Sequence, residues 1–411
     1  MHRACALSAI LWVLGCTVRS AGLPTLSVAG AAAIDRMFQA AVDTAEIPGV
    51  VAAVTNKDHL LYLKAFGRKN VAQGIPMSED TVFRIASMTK PVTSVGIMML
   101  YEQGKLRLDD PVGTYLPAYK GREVLATFNE QDATYTTRPA SREMTIRHLL
   151  THTSGLGYPF TSPSVLAIQT KTGQDPKDLP LLFDPGTRWH YSPATAVLGD
   201  IVMKLSGQSI EEWDQQRIFR PLGMVDTTYT PGPEKTARLA TIHQRAATGL
   251  VENQASLTYT PDIRGDGGLV STASDYAAFV QMLLHEGSWR GKQLLKPETV
   301  RLMTSNQIGS VVLDTMPAAI PARSAAFPFG AGKDKFGLGF QITVTDGTPT
   351  RERGAGSYTW AGINNTHFWV DPGNGIGVVI LTQVLPFYNA TSMDVMSRFE
   401  KLIYEHLGRD K

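Results

Sequence analysis

The chain has 411 residues, a formal net charge of +2 and 43% hydrophobic residues. This is ordinary globular composition, long enough for a large core in two domains or in one with an insertion. With no basic runs or basic-aromatic stripes, nothing points to nucleic acid as a partner.

At the N-terminus, His2 and Arg3 precede an apolar segment over residues 4–18, and Ser20, Ala21 and Gly22 follow. This reads as an export signal over residues 1–22, with an uncleaved anchor as the alternative, although the run is short for a membrane span. Val13-Leu14-Gly15-Cys16 also resembles a lipoprotein cleavage site, which would put a lipid anchor on Cys16. Both cysteines, Cys5 and Cys16, fall in this segment, so a mature chain offers neither a disulfide nor a thiol nucleophile. Export without disulfides suggests a bacterial periplasmic or secreted protein, with no membrane span in the mature chain.

A helix is predicted over 31–44 from the spacing of Ile34, Met37, Phe38 and Val42, and a hairpin over 50–54 and 60–66. A mostly apolar helix follows from about Ser87 to Gly104. Asp109, Asp110, Pro111 and Pro117 then interrupt the chain. Residues 118–265 read as helices and loops, with helices over 146–152, 194–206 and 210–219. Strand patterns return over 336–343, 367–370 and 376–382, the last two joined by the turn-rich Asp371-Pro372-Gly373-Asn374-Gly375. An amphipathic helix over 390–407 ends the chain. The Pro-, Ala- and Gly-rich stretch 308–335 is long for a loop and either borders the active site or is a surface excursion. The expected fold is α/β in the α+β sense. An antiparallel sheet domain (23–117 and 266–411) is flanked by terminal helices, and a mainly helical domain (118–265) is inserted into it.

Three short elements carry chemistry. Ser87-Met88-Thr89-Lys90 is the only S-x-x-K in the chain. On a helix this spacing puts the lysine amine beside the serine hydroxyl, as activation of a poor nucleophile requires. Pro91 is tolerated only in a helix's opening turn, so Ser87 lies at the electropositive end of that helix. The second element is Trp189-His190-Tyr191-Ser192-Pro193. Tyr191 can shuttle the Ser87 proton if a cation such as Lys90 lowers its pKa; otherwise it is a packed aromatic. In the third, Ser357-Tyr358-Thr359-Trp360-Ala361-Gly362-Ile363, an edge backbone N–H can complete an oxyanion hole with the N–H of Ser87.

Together, in this order, these elements resemble the serine β-lactamase and penicillin-binding-protein superfamily, most of all class C β-lactamases, D-alanyl-D-alanine carboxypeptidases and family VIII carboxylesterases. The segment from Ile146 to Leu156, with His152-Thr153-Ser154-Gly155, is similar to another hallmark of that group, as is Pro221-Leu222-Gly223-Met224. The resemblance implies Ser87 as the acylated nucleophile, Lys90 as its activator and Tyr191 as general acid/base. Ser87, Trp360, Gly362 and Ile363 would form the oxyanion and substrate wall. It implies a small-molecule ester or amide substrate and no metal or cofactor.

Two departures matter. Pro193 stands where such proteins carry the Asn of Y-x-N, and Trp360-Ala361-Gly362 stands where they carry K-T-G. The lysine there pairs with a substrate carboxylate; without it, and unless Arg351 or Arg353 substitutes, neutral acyl esters are favoured. The literal Lys171-Thr172-Gly173 precedes Tyr191 in a polar stretch and is read as a decoy. His148 and His152, four apart, lack the rest of a zinc motif and are read as packing or local hydrogen-bonding residues. The expectation is an exported carboxylesterase working through a Ser87 acyl-enzyme. The alternatives are a β-lactamase, a DD-peptidase or D-aminopeptidase, an acyltransferase, or a penicillin-recognising sensor that does not turn over.

Overall fold

A computed structural model describes residues 22–344 and 351–409. The expected export segment up to Ala21, including Cys5 and Cys16, lies outside the described residues. Helix α1 (Val28–Asp43) starts where the Ser27 hydroxyl accepts from the Gly30 N–H at 3.0 Å, a side-chain N-cap. Strands β1 (Gly49–Asn56), β2 (Leu60–Asn70) and β3 (Ile75–Pro76) follow, then helix α2 (Thr89–Glu102), helix α3 (Ile146–Leu150), helix α4 (Ala194–Ser206) and helix α5 (Ala273–Leu284). The chain returns through β4 (Lys335–Phe336), β5 (Gln341–Ile342), β6 (Tyr358–Gly362), β7 (Thr366–Asp371) and β8 (Ile376–Leu381), and ends with helix α6 (Ala390–Glu405).

The eight strands form one sheet in the order β4-β5-β6-β7-β8-β1-β2-β3. Its neighbouring strands pair antiparallel. Strand β1 is buried at every residue because both its faces are covered, so it reads as a continuous apolar run rather than an alternation. On one face α1 and α6 pack over Val50, Ala52, Val378 and Trp369, with the Phe38 and Phe399 rings 4.9 Å apart. On the other face α5 lies against β1 and β8 so closely that a Cβ on Gly377 would sit 2.0 Å from Val280. Beyond α5, helix α2 is buried from Thr89 through Leu100, on all its sides, as a helix apolar all round must be.

The predicted antiparallel sheet between terminal helices is therefore the observed fold. Two details differ. The strand expected over 336–343 is a tight reversal, with Phe336 paired to Gln341 and the turn made by Gly337 and Gly339 (φ +100°), a backbone state that suits glycine. Residues 118–265 contain the expected helices but also the hairpins Glu123–Phe128 with Tyr135–Pro139 and His243–Ala246 with Gly249–Glu252. One strand of each hairpin, Tyr135–Pro139 and His243–Ala246, is short and rich in Thr, Arg and Gln, so it lacks the apolar alternation that marks a half-buried strand.

Candidate active site

Ser87 sits in a single 3-10 turn, Ala86–Met88, that leads into α2. The residue before it, Ala86, has φ +46°, a left-handed state costing a non-glycine residue about 1–3 kcal/mol. The surrounding bonds hold this turn. The Ile85 N–H donates to the Leu269 carbonyl at 3.1 Å, and the Tyr276 hydroxyl donates to the Met88 carbonyl at 2.9 Å. The strain turns the Ser87 hydroxyl into a cleft at the start of the helix rather than into its side.

Lys90 comes next, fully buried, with its Nζ 3.2 Å from Ser87 Oγ. Two other acceptors surround the amine: the Asp266 carbonyl at 2.7 Å and the Tyr158 hydroxyl at 3.0 Å. Tyr158 in turn donates to the Asp266 carboxylate, and Arg264 lies 3.7 Å from the other carboxylate oxygen. Burial pushes the Lys90 ammonium down to about 7, with the Asp266 charge opposing and Arg264 assisting. Lys90 therefore gives up its proton far more readily than an ordinary lysine. Nζ donates to the Asp266 carbonyl and the Tyr158 hydroxyl, and Ser87 Oγ is its third neighbour.

Tyr191 donates to Ser87 Oγ at 2.6 Å, and Lys90 Nζ lies 4.8 Å from its ring centroid. The sequence reading has the Lys90 cation lowering the Tyr191 pKa, but the structure reverses that sign. Burial raises the phenol well above its ordinary value and outweighs the lowering effect of the bond to Ser87. In the resting site Tyr191 is a neutral phenol that donates to Ser87, and Lys90 is the more easily deprotonated of the two. The aromatic ring of His152, itself held neutral by burial, supports Tyr191 edge-on at 5.0 Å, and its Nδ1 lies 3.2 Å from Ser192 Oγ. His148 Nδ1 accepts from the Thr145 N–H at 3.2 Å at the start of α3. Both histidines thus serve local hydrogen bonds and packing.

Strand β6 forms the opposite wall. Strand β5 pairs only with its first two residues, Tyr358 and Thr359, so the outer edge from Trp360 to Gly362 is open. Gly362 permits the approach of this edge to the turn that carries Ser87, because a Cβ there would meet the Ile85 carbonyl oxygen at 2.2 Å. Ser87, Tyr191, Trp360 and Ile363 line one cleft. The rest of that wall is chiefly aromatic, including Phe160, Phe327, Phe387 and Tyr388. Phe327 and Phe329 come from the long 308–335 stretch, which therefore borders the site. Arg351 and Arg353 also reach the cleft, but each is neutralised, Arg351 by Asp334 at 2.8 Å and Arg353 by the buried Glu400 at 2.7 Å. The literal Lys171-Thr172-Gly173 is the end of the helix Pro163–Thr172, with Lys171 donating to the Asp132 carbonyl at 2.9 Å. It takes no part in this site.

Ser87, Lys90, Tyr191, Trp360 and Ile363 are thus brought together, with Gly362 beside them. The sequence reading missed Tyr158, Asp266 and Arg264. The glycine-rich run Arg264-Gly265-Asp266-Gly267-Gly268 was a usable signal. A Cβ on Gly265 would come within 2.7 Å of the Thr195 carbonyl and 2.8 Å of the Gly199 Cα, so the loop packs tightly on α4 and brings Asp266 to Lys90.

Comparison with known proteins agrees with this geometry. The beta-lactamase family model matches residues 34–398. Lovastatin esterase of Penicillium rubens is 29% identical over 397 residues, covering 90% of this chain and 98% of its own length. Monacolin J acid methylbutanoyltransferase of Aspergillus terreus is 30% identical over 397 residues, covering 90% and 95%. Among solved structures, a mutant of simvastatin synthase (LovD) from Aspergillus terreus superimposes with a TM-score of 0.79 at 29% identity, covering 92% of this chain and 95% of that one. The chain belongs to the beta-lactamase family, within the serine β-lactamase and penicillin-binding-protein superfamily, and is an enzyme of that family's hydrolase and acyltransferase branch.

Proposed function

We propose that this enzyme is a carboxylesterase that cleaves neutral acyl esters through an acyl-enzyme on Ser87. The observation that carries the reading is the Lys90 amine. Its Nζ donates to the Asp266 carbonyl and the Tyr158 hydroxyl, and Ser87 Oγ is its third neighbour. Neutral Lys90 takes the Ser87 proton as Oγ attacks the ester carbonyl. Backbone N–H groups of Ser87 and Ile363 hold the oxyanion. Collapse breaks the bond to the alcohol, and Tyr191 protonates the departing alkoxide. The Lys90 ammonium near its ring compensates the phenolate left behind. Water then attacks the acyl-enzyme and gives its proton to Tyr191, and Ser87 leaves with the proton held on Lys90.

Neutral esters are favoured because the wall opposite Ser87 carries Trp360 instead of a lysine, and because Asp334 and Glu400 neutralise both guanidinium groups that reach the cleft. A second reading, transfer of the acyl group to an alcohol rather than to water, is favoured by the name of the Aspergillus methylbutanoyltransferase. We also propose export, on the apolar leader alone.

The test is steady-state hydrolysis of p-nitrophenyl butyrate by the wild type and Ser87→Ala, with and without a primary alcohol added. Turnover lost in the variant supports the esterase reading. Butyrate ester formed at the expense of butyrate moves the assignment to acyl transfer. Turnover persisting in Ser87→Ala removes the nucleophile.

A further inference from the structure

The cleft continues past the reacting centre. Its lining comes from both faces of β6: Trp360 from the face that meets Tyr191, and Thr359 and Ala361 from the other. It therefore passes round the strand's open edge, over the small Ala361 side chain. Ala361 stands directly opposite His367 in the β6–β7 register, and antiparallel partners share a face. His367 also lines the cleft.

His367 is only 6% exposed. Its ring stacks on Phe387 at 6.0 Å and contacts Tyr388 at 5.7 Å, yet no described residue hydrogen-bonds its nitrogens. Neither ring nitrogen is sealed off as a buried orphan, and His367 lines the cleft, so a group held in the cleft can pair with the ring. Burial, reinforced by the nearby Arg353 charge, lowers its pKa to about 3, so the ring is neutral. It offers one N–H and one lone pair. Glu400 cancels the Arg353 charge, so an anionic group arriving there gains no net attraction. A hydroxyl can donate or accept and satisfies either tautomer.

We propose that His367 forms the polar end of a distal acyl subsite, reached over Ala361, which takes a hydroxyl borne on the acyl group of the ester. Ala361, one strand spacing of ~5 Å from His367, is two residues before Ile363, so the span from the oxyanion end to His367 is within reach of a medium-length acyl chain. The kinetic test rests on the esterase reading, and a binding measurement stands apart from it. For p-nitrophenyl 6-hydroxyhexanoate and 3-hydroxyhexanoate against hexanoate, the wild type is expected to favour at least one hydroxylated ester in kcat/KM by about tenfold, the scale of one buried hydrogen bond. His367→Phe brings that ratio towards one, and His367→Gln keeps part of it. In Ser87→Ala protein, 6-hydroxyhexanamide or 3-hydroxyhexanamide is expected to move the His367 imidazole 15N resonances and hexanamide is not. Equal kcat/KM for all three esters, a preference surviving in His367→Phe, or identical 15N responses to the amides would overturn the subsite. If none of the three esters is hydrolysed while the hydroxylated amides alone move the resonances, the esterase reading fails and the subsite stands.

Discussion

The two walls of the cleft are built on opposite principles. The α2 wall is polar and buried: Lys90, Tyr158 and the Asp266 carboxylate form a continuous hydrogen-bonded chain shielded from water. The β6 wall is apolar and open along its edge, with Trp360, Ala361 and Ile363 facing the cleft. Desolvation lowers the Lys90 pKa and raises that of Tyr191, which suits a base and an acid meeting at one serine. The apolar wall brings no charge of its own, so it selects by shape and leaves polar selection to His367 beyond Ala361. Chemistry therefore depends on the first wall and selectivity on the second, and perturbing each separately should separate rate from preference.

The largest expected effect is on the polar wall. Lys90→Ala should lower kcat/KM for p-nitrophenyl butyrate by about 10⁴-fold, the upper range for general base catalysis, measured in the initial-rate assay. Tyr191→Phe keeps the ring packing and should cost about 10²–10³-fold. It should cost most with alkyl esters, whose poor leaving groups need the proton, and least with p-nitrophenyl esters. A structural contrast lies beyond the apolar wall. Arg353→Met strands the buried Glu400 carboxylate and should destabilise the fold by about 3–5 kcal/mol, read as a lower midpoint in urea.

The smallest effect is the sharpest. Acylation should rise with pH as Lys90 loses its proton, levelling off above about 7. The Asp266 charge raises the Lys90 pKa and Arg264 lowers it. Asp266→Asn should therefore move the acid limb to lower pH and Arg264→Met to higher pH. Shifts in the same direction would mean that the limb belongs to another group.

The meeting of Ser87, Lys90, Tyr191 and Trp360 was legible because their signals are local. Ser87 and Lys90 share one turn, and the spacing around Tyr191 and Trp360 carries the family pattern. The partners of Lys90 were not legible, since Tyr158 and Asp266 lie 68 and 176 residues further along the chain and meet the amine only through tertiary packing. The Tyr191 pKa was misread for a related reason. A sequence shows that a cation is near, but the burial that outweighs it depends on His152, Phe327 and Trp360 arriving from distant segments. The sheet was readable where strands are buried, as in β1 and β8. It was not readable at β4–β5, where the chain reverses at glycines within an apolar run.

The most direct measurement is intact-protein and peptide mass spectrometry of enzyme acid-quenched during turnover of p-nitrophenyl butyrate. A single butanoyl group is expected, mapped to the peptide containing Ser87 and absent from Ser87→Ala. A butanoyl group on another residue, with turnover retained in Ser87→Ala, would contradict it.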